Sequence, residues 1–482
     1  MRGGGMTVLL AAAVTSLGCP SLGAYLCADP ADCDLAQEGA CEPDGRCSYP
    51  DEGCPSGRRY ATDEAQGGPC VEAPSSTESD ADSSGGGARC GDGILDSGED
   101  CDDGDALVGN GCNPDCQRSG QPIWTKSIDH VGGNDRGFGM AVSDDGSIAV
   151  VGLVTQTDGD EDAIVVLLDP AGEERWTRVV ENPGPDAFEQ PFFTDDGDLI
   201  VCGRMTVVPE GADPQPQGQL QGWIERIDPL GQSTWRVVLD EPTQSWIKDC
   251  RPFGDEDFVI AGTTEDPERG YGLFGRFGRD GTERWIRRHG EPALQQTQLT
   301  AAMEGPEGEV VIGGRIDLGE GWLSVISAYD ADGQGLVWDT EPGADLGVEE
   351  QFSIARVGDT IYGMGRVFFQ GGTYGWLGRF EDHAPAGSKI AAEVGIGNEF
   401  HRMVGTVGGD LLVAGSIRGH DIWILRYGPD FSDRWAVEVA GDGGGHDKAW
   451  DIAVAPEGNV IVAGYETTVT EDANLWVGSY TP

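Results

Sequence analysis

Positive charge is scarce in this chain. Of 482 residues, 31 are Lys or Arg and 84 are Asp or Glu, for a formal net charge of −53. A field of that sign repels nucleic-acid phosphates and anionic lipid headgroups, so no nucleic acid is expected as a partner. It favours solubility and would attract divalent cations. Long apolar runs are also lacking. Beyond the N-terminus no stretch reaches the roughly 18 unbroken apolar residues of a membrane span. Histidine is rare, with six copies at His130, His289, His383, His401, His420 and His446, and no HxH or HExxH among them. Nor is there a GxSxG elbow, a Walker loop or a strand–turn–helix dinucleotide fingerprint. No catalytic residues are assigned from the sequence.

Glycine is abundant, with 77 copies. It punctuates a repeated module whose clearest copy runs from Gly132 to Trp176. Met140–Val142 is a short apolar run, and Ser143–Gly146 is turn chemistry. Ile148–Val151 is a second run, closed by Gly152. Ile164–Leu168 is a third, and Asp169–Gly172 is another tight turn leading into Arg175–Val179. Short β-branched runs bounded by turn residues predict four strands. The second and third runs are apolar on both faces, as in a sheet covered on two sides.

The glycine that ends the second strand recurs at Gly152, Gly203, Gly262, Gly314, Gly365, Gly415 and Gly464, spaced 49 to 59 residues apart. A tryptophan keeps the same period at Trp124, Trp176, Trp235, Trp285, Trp338 and Trp435, with Ile390 in the remaining slot. Seven copies of four strands predict an all-β, seven-bladed β-propeller with four-stranded blades over residues 123–482. The last copy stops at its third strand, Leu475–Tyr480, and a spare strand, Ile123–Lys126, precedes the first. The spare strand is expected to complete the seventh blade and close the ring.

Residues 1–19 have the form of an export signal, with Arg2 followed by the apolar Met6–Val14. Ser16-Leu17-Gly18-Cys19 resembles a bacterial lipoprotein cleavage box, which implies lipid attachment at Cys19. Setting Cys19 aside leaves an even 12 of the 13 cysteines for pairing. Secretion with cleavage near Ala24 is the alternative. Residues 27–70 form a Cys-rich module with Cys27, Cys33, Cys41, Cys47, Cys54 and Cys70, held by disulfides rather than a core. Its Cys47–Gly57 pattern resembles the Cys-rich segment of myxobacterial surface lipoproteins. Residues 71–89 are a Ser, Asp and Gly linker expected to be disordered. Residues 90–117 resemble the myxobacterial Cys-rich disulfide repeat, CGDG…GExCDDGN…GDGC…C. Cys90, Cys101, Cys112 and Cys116 fall on its cysteines, which implies two disulfides. Asp105 and Asn110 depart from the pattern.

Several side chains are candidate ligands. Asp92, Glu99, Asp102, Asp103 and Asp105 could hold Ca²⁺, which takes six to eight oxygens from a flexible loop; solvated carboxylates in a stapled loop are the competing reading. At a fixed distance before each marker glycine stand Asp135, Asp186, Ser245, Thr297, Val348, Asn398 and Asp447. Short polar residues there shape turns by bonding backbone NH groups. Asp135, Asp186 and Asp447 fall on adjacent blades and could instead ring one channel mouth for a cation or basic ligand. His130 and His446 lie on loops of neighbouring blades. Cys202 in blade 2 and Cys250 in the second-strand region of blade 3 are candidates for an interblade disulfide.

The module resembles the bacterial β-propeller repeat of exported proteins. Its Asp169-xx-Gly172-xxx-Trp176 and Asp228-xx-Gly231-xxx-Trp235 turns resemble the tryptophan-docking motif of quinoprotein-type propellers, where the indole plugs the gap between blades. Together these resemblances imply a non-enzymatic binding protein. It would be lipid-anchored at the outer membrane or cell surface, or secreted, with a protein or glycan ligand and membrane contact only through the anchor. The insertion Pro209–Gln219 is its best loop for a partner. A quinoprotein-like oxidoreductase or polysaccharide-acting enzyme is the alternative.

Overall fold

The computed structural model describes residues 90–482, except for stretches at 131–132, 209–217, 266–268, 291–295, 318, 320–321, 342–347, 370, 393–396, 442–444 and 470–471. It also describes residues 40–41, 47–50, 54 and 58–60, and for residues 40, 41, 60, 348–352 and 369 it describes the backbone alone. The export segment with Cys19, the linker at 71–89, Cys27, Cys33, Cys70 and most of the blade 2 insertion lie outside the described residues. The chain divides into two compact units, Met1–Gly87 and Ala88–Pro482. In the first, Ala40–Cys41, Cys47–Pro50 and Arg58–Tyr60 pair as a three-stranded sheet, and Cys47 and Cys54 each take part in a disulfide.

The second unit holds seven four-stranded antiparallel blades. In blade 1 the strands are Asp135–Val142, Ile148–Thr155, Glu161–Leu168 and Glu174–Val180. Blades 2 to 6 follow over 187–238, 245–289, 296–340, 348–390 and 399–439. Blades 3 and 4 are also joined by one parallel bridge, Gly270 to Gln296. Blade 7 takes Lys448–Val454, Val460–Thr467 and Ala473–Tyr480 from the C-terminus and Pro122–Ile128 from the other end of the unit. Trp124 pairs with Ser479, and Ile128 with Leu475. The ring is closed as the spare strand predicted.

The two-faced apolar strands explain the ring. In Ile148–Thr155 the side chains alternate between faces. Ala149 and Val151 enter a cluster with Phe188 and Val201 of blade 2; Ile148 and Val150 enter one with Ile461 and Val477 of blade 7. The same division gives seven hydrophobic clusters among the described residues, each shared by two neighbouring blades. Cys202 and Cys250 sit inside the cluster between blades 2 and 3 and form a disulfide. Cys250 lies on the first strand of its blade, Ser245–Phe253, not in the second-strand region. The inner strands begin earlier than their apolar runs, because each described bulge lets the strand continue to the polar residue before it.

The outer-strand tryptophans dock between blades. A Cβ on Gly172, in the blade 1 turn, would meet Trp124 of blade 7 at 2.9 Å, and one on Gly231 would meet Trp176 at 3.3 Å. The Trp176 indole donates to the carbonyl of Pro229 at 3.0 Å. Trp338 instead stacks on His383 of blade 5, with ring centroids 5.4 Å apart.

The seventh turn is assembled from both chain ends of the unit. In blade 1, Asp169 N donates to Glu173 O at 2.8 Å and Gly172 N to Asp169 O at 2.9 Å. In blade 7, Thr481 N donates to Gln121 O at 2.9 Å and Gly120 N to Thr481 O at 3.1 Å. Asp169 Oδ1 accepts from Glu173 N at 2.9 Å, and Thr481 Oγ1 accepts from Gln121 N at 2.8 Å. Thr481 thus replaces the turn Asp, and Gly120 (φ 72°) replaces the turn Gly against Trp435. Thr481 Oγ1 also donates to Arg118 O at 2.7 Å, and the Gly109 backbone lies against the Arg426 guanidinium. The Cys-rich repeat, closed by Cys90–Cys116 and Cys101–Cys112, therefore packs on the propeller rather than spacing it.

Two stability changes follow. Trp285 is 7% exposed, so Trp285→Ala should cost about 3–5 kcal/mol through the cavity it leaves, read by denaturant unfolding. Gly120→Ala forces a Cβ to within 2.8 Å of Val437 at positive φ. It should cost about 1–3 kcal/mol and increase proteolytic release of the strand Pro122–Ile128. Wild-type stability in either variant contradicts the docking described.

Candidate functional site

The inner strands line the central channel, and their alternation decides which residues reach it. Asp135, Asp186 and Asp447 are each 1% exposed, so they do not face the lumen. Asp135 Oδ2 accepts from His130 N at 2.5 Å, and Asp186 Oδ1 from Thr206 N at 2.6 Å. Asp447 accepts from Thr467 N at 2.6 Å and Gly441 N at 2.8 Å. Ser245 and Asn398 hold the same place, accepting from Gly222 N and Arg418 N. These five residues tie the starts of their inner strands to neighbouring backbone NH groups.

The channel mouth is lined instead by the residues one position on. A cleft of about 820 Å³ opens over blades 5, 6, 7 and 1, lined by Arg136, Glu399, Lys448, Tyr465, His446 and Asn134 among others. The marker glycines belong to this design. A Cβ on Gly152 would lie 1.8 Å from the Arg136 carbonyl, and one on Gly464 the same distance from the Lys448 carbonyl. Only glycine lets the second strand approach the bulged inner strand that closely.

Glu399 is the anchor of the mouth. Lys448 Nζ lies 3.2 Å from it, Arg366 Nη1 3.4 Å and His401 Nε2 3.5 Å. The His401 bond, opposed by burial and reinforced by Lys448, holds the Glu399 carboxyl well below the usual range. Deeper in, His401 stacks on Trp450 at 4.3 Å, and Phe138 meets Trp450 edge-on at 6.3 Å.

Below these rings the channel is bridged. Arg402 of blade 6 reaches Asp249 of blade 3 at 3.1 Å and Asp451 of blade 7 at 3.3 Å. Arg251 lies 2.9 Å from Asp249 and donates to the Ile354 carbonyl at 2.7 Å. Gln190 donates to Asp451 at 3.1 Å. Asp249 and Asp451 also accept from Ala302 N and Met140 N. Blades 3 and 6 stand across the ring from each other, so their contact makes the mouth a bowl with a floor. No motif signals this network, because its members fall on different blades far apart in sequence.

The other candidates disperse. Asp102 accepts from Gly91, Asp92, Gly93 and Gly104 N. Desolvation pushes its pKa up, but those four NH groups together hold it below the ordinary value. Glu99 accepts from Asp96 N, Asp103 from Asp105 N and Asp105 from Leu107 N, while Asp92 accepts from Ile94 N. These carboxylates shape the loop, and among the described residues no three His, Cys, Asp or Glu converge on a point that could hold a metal. His446 stacks on His420 at 4.7 Å, just before the inner strand of blade 7.

The buried strand-entry aspartates have a pH signature. Burial raises Asp186 and Asp135 to about 6 from 3.8, against their backbone NH bonds. A folded pKa above the unfolded one means extra protons bound in the native state. The resulting stability is full below the unfolded value and is lost as pH rises through about 6. Asn398 shows that an amide suits the position. Asp186→Asn should therefore stabilise the protein at pH 7.5 by about 1–2 kcal/mol, discounted for partial solvent screening, and by little at pH 4.5. Melting profiles across that range check it; an equal effect at both ends contradicts it.

No protein-family model matches the chain, and no curated protein matches it in sequence. Solved structures do share its outline. A chain in the crystal structure of the Mitotic Checkpoint Complex aligns at 10% identity and a TM-score of 0.49, covering 80% of this chain and 97% of that one. The polysaccharide lyase Uly1 aligns at 10% identity and 0.47, covering 76% and 92%. The Pan2 WD40 domain of Neurospora crassa aligns at 9% identity and 0.46, covering 75% and 95%. At such identities the likeness concerns fold alone, and the propeller assignment rests on this chain's own blades and closure.

Proposed function

We propose that this protein is a non-enzymatic binding protein, exported and either lipid-anchored through Cys19 or secreted, that takes a protein or glycan ligand at the inner-strand mouth of its propeller. The observation that carries the reading is the state of the mouth's charges. Glu399 is already held by Lys448, Arg366 and His401. A carboxylate so engaged is poised to keep its proton off and its neighbours in place. General acid or base work asks instead for a pKa near the working pH. The bowl is rigid, floored and rimmed by aromatic and hydrogen-bonding groups, which suits recognition. The cleavage-box resemblance and the odd cysteine count support the anchor.

Two measurements test this. Palmitate labelling should tag wild type and not Cys19→Ala; equal labelling removes the anchor. The purified chain should bind on a glycan array or in pull-downs from envelope extracts. Tyr465→Arg, which fills the cleft, should abolish that binding while leaving the melting temperature intact. Silence on both assays, or binding indifferent to Tyr465→Arg, overturns the binding-face reading.

A further inference from the structure

Among the described residues, Arg136 is the arginine lining this cleft, and no counter-charge is paired with it. It stands on the inner strand of blade 1, with its guanidinium carbon 5.4 Å over the ring of Tyr465 from blade 7. Its Nε is buried and has no acceptor. In a chain with 84 acidic residues, Arg136 makes no ion pair among the described residues. A buried guanidinium donor left unbonded is costly, and an acceptor brought into the cleft would satisfy it. Among the described residues the cleft offers none: Glu399 is the one described carboxylate that lines it, and that group is already engaged by Lys448, Arg366 and His401. With Lys448 alongside, the described lining of the cleft carries a net positive charge inside a molecule of net charge −53.

We infer that Arg136 binds the carboxylate of an acidic sugar, a uronic acid residue seated in the mouth. This rests on the mouth being the binding face. A guanidinium matches a carboxylate bidentately. The overall field disfavours polyanions, so a ligand bringing one carboxylate is preferred over a phosphate or a highly charged chain. The remaining lining is Asn134, Thr373, Thr467, His446 and glycine backbone, with Tyr465 and Ala473 as its apolar members. That surface suits ring hydroxyls. It has no apolar slot for the last side chain of a peptide C-terminus, the other common source of a lone carboxylate.

Saturation-transfer NMR with methyl β-D-glucuronide tests the assignment. Wild type should bind it, and methyl β-D-glucoside and N-acetylalanine should give no signal. Arg136→Gln should weaken glucuronide binding by roughly 10- to 100-fold with an unchanged melting temperature. Binding indifferent to Arg136→Gln, silence with glucuronide, or preference for N-acetylalanine overturns it. If an array or pull-down ligand depends on Tyr465 and not on Arg136, the acid site falls while the binding face stands. If glucuronide depends on Arg136 while array and pull-down are silent, the acid site stands and the macromolecular reading falls.

Discussion

Every blade of this protein has two apolar faces, and both must be covered at once. Residues such as Ala149 and Ile148 are neighbours on one strand yet belong to different cores. A linear stack would leave the outer faces of its first and last sheets in water. The ring removes that exposure by making blade 1 and blade 7 neighbours, and the cluster joining Val150 to Ile461 is the result. All else in the unit depends on that closure, including the position of the mouth.

Closure is made by hydrogen bonds and packing. The strand Pro122–Ile128 pairs with Ala473–Tyr480, and the turn that joins these strands in other blades is rebuilt from Gly120 and Thr481. The atoms differ from those of Asp169 and Gly172, but the bonds are the same. Arg118, the residue after the disulfide-closed Cys-rich repeat, accepts from Thr481 Oγ1 and leads through Ser119 into Gly120, so the repeat adjoins the strand that locks the ring.

Inside the ring, strand alternation separates two tasks. The buried polar residues at the strand entries of blades 1, 2, 3, 6 and 7 satisfy backbone NH groups. Their sequence neighbours face the lumen and give the mouth its charge. The floor, with Arg402 held between Asp249 and Asp451, fixes inner strands of opposed blades relative to each other. Arg136 then stands on the inner strand of blade 1 with no ion pair among the described residues, in a cleft whose described charges oppose that of the whole chain.

Much of this was legible in the chain itself. The period of the marker glycines yields the blade number, and the spare tryptophan strand yields the closure. Both signals are local and repeated, and a repeat forces each unit to pack on copies of itself. Adjacent blades made Cys202 and Cys250 candidates for a bridge or for two buried thiols, and the structure shows the bridge. Which face of the inner strand meets the lumen was not legible, because a bulge shifts the register by one residue. That shift moves the mouth from Asp135 and Asp447 to Arg136 and Lys448. Nor was the contact of Asp249 with Arg402, since residues 153 apart meet only where the ring brings opposite walls together. The sequence by itself determined how many sheets there are and that they must close. The tertiary structure alone decided which charges face the channel, because that depends on local register and on contacts across the ring.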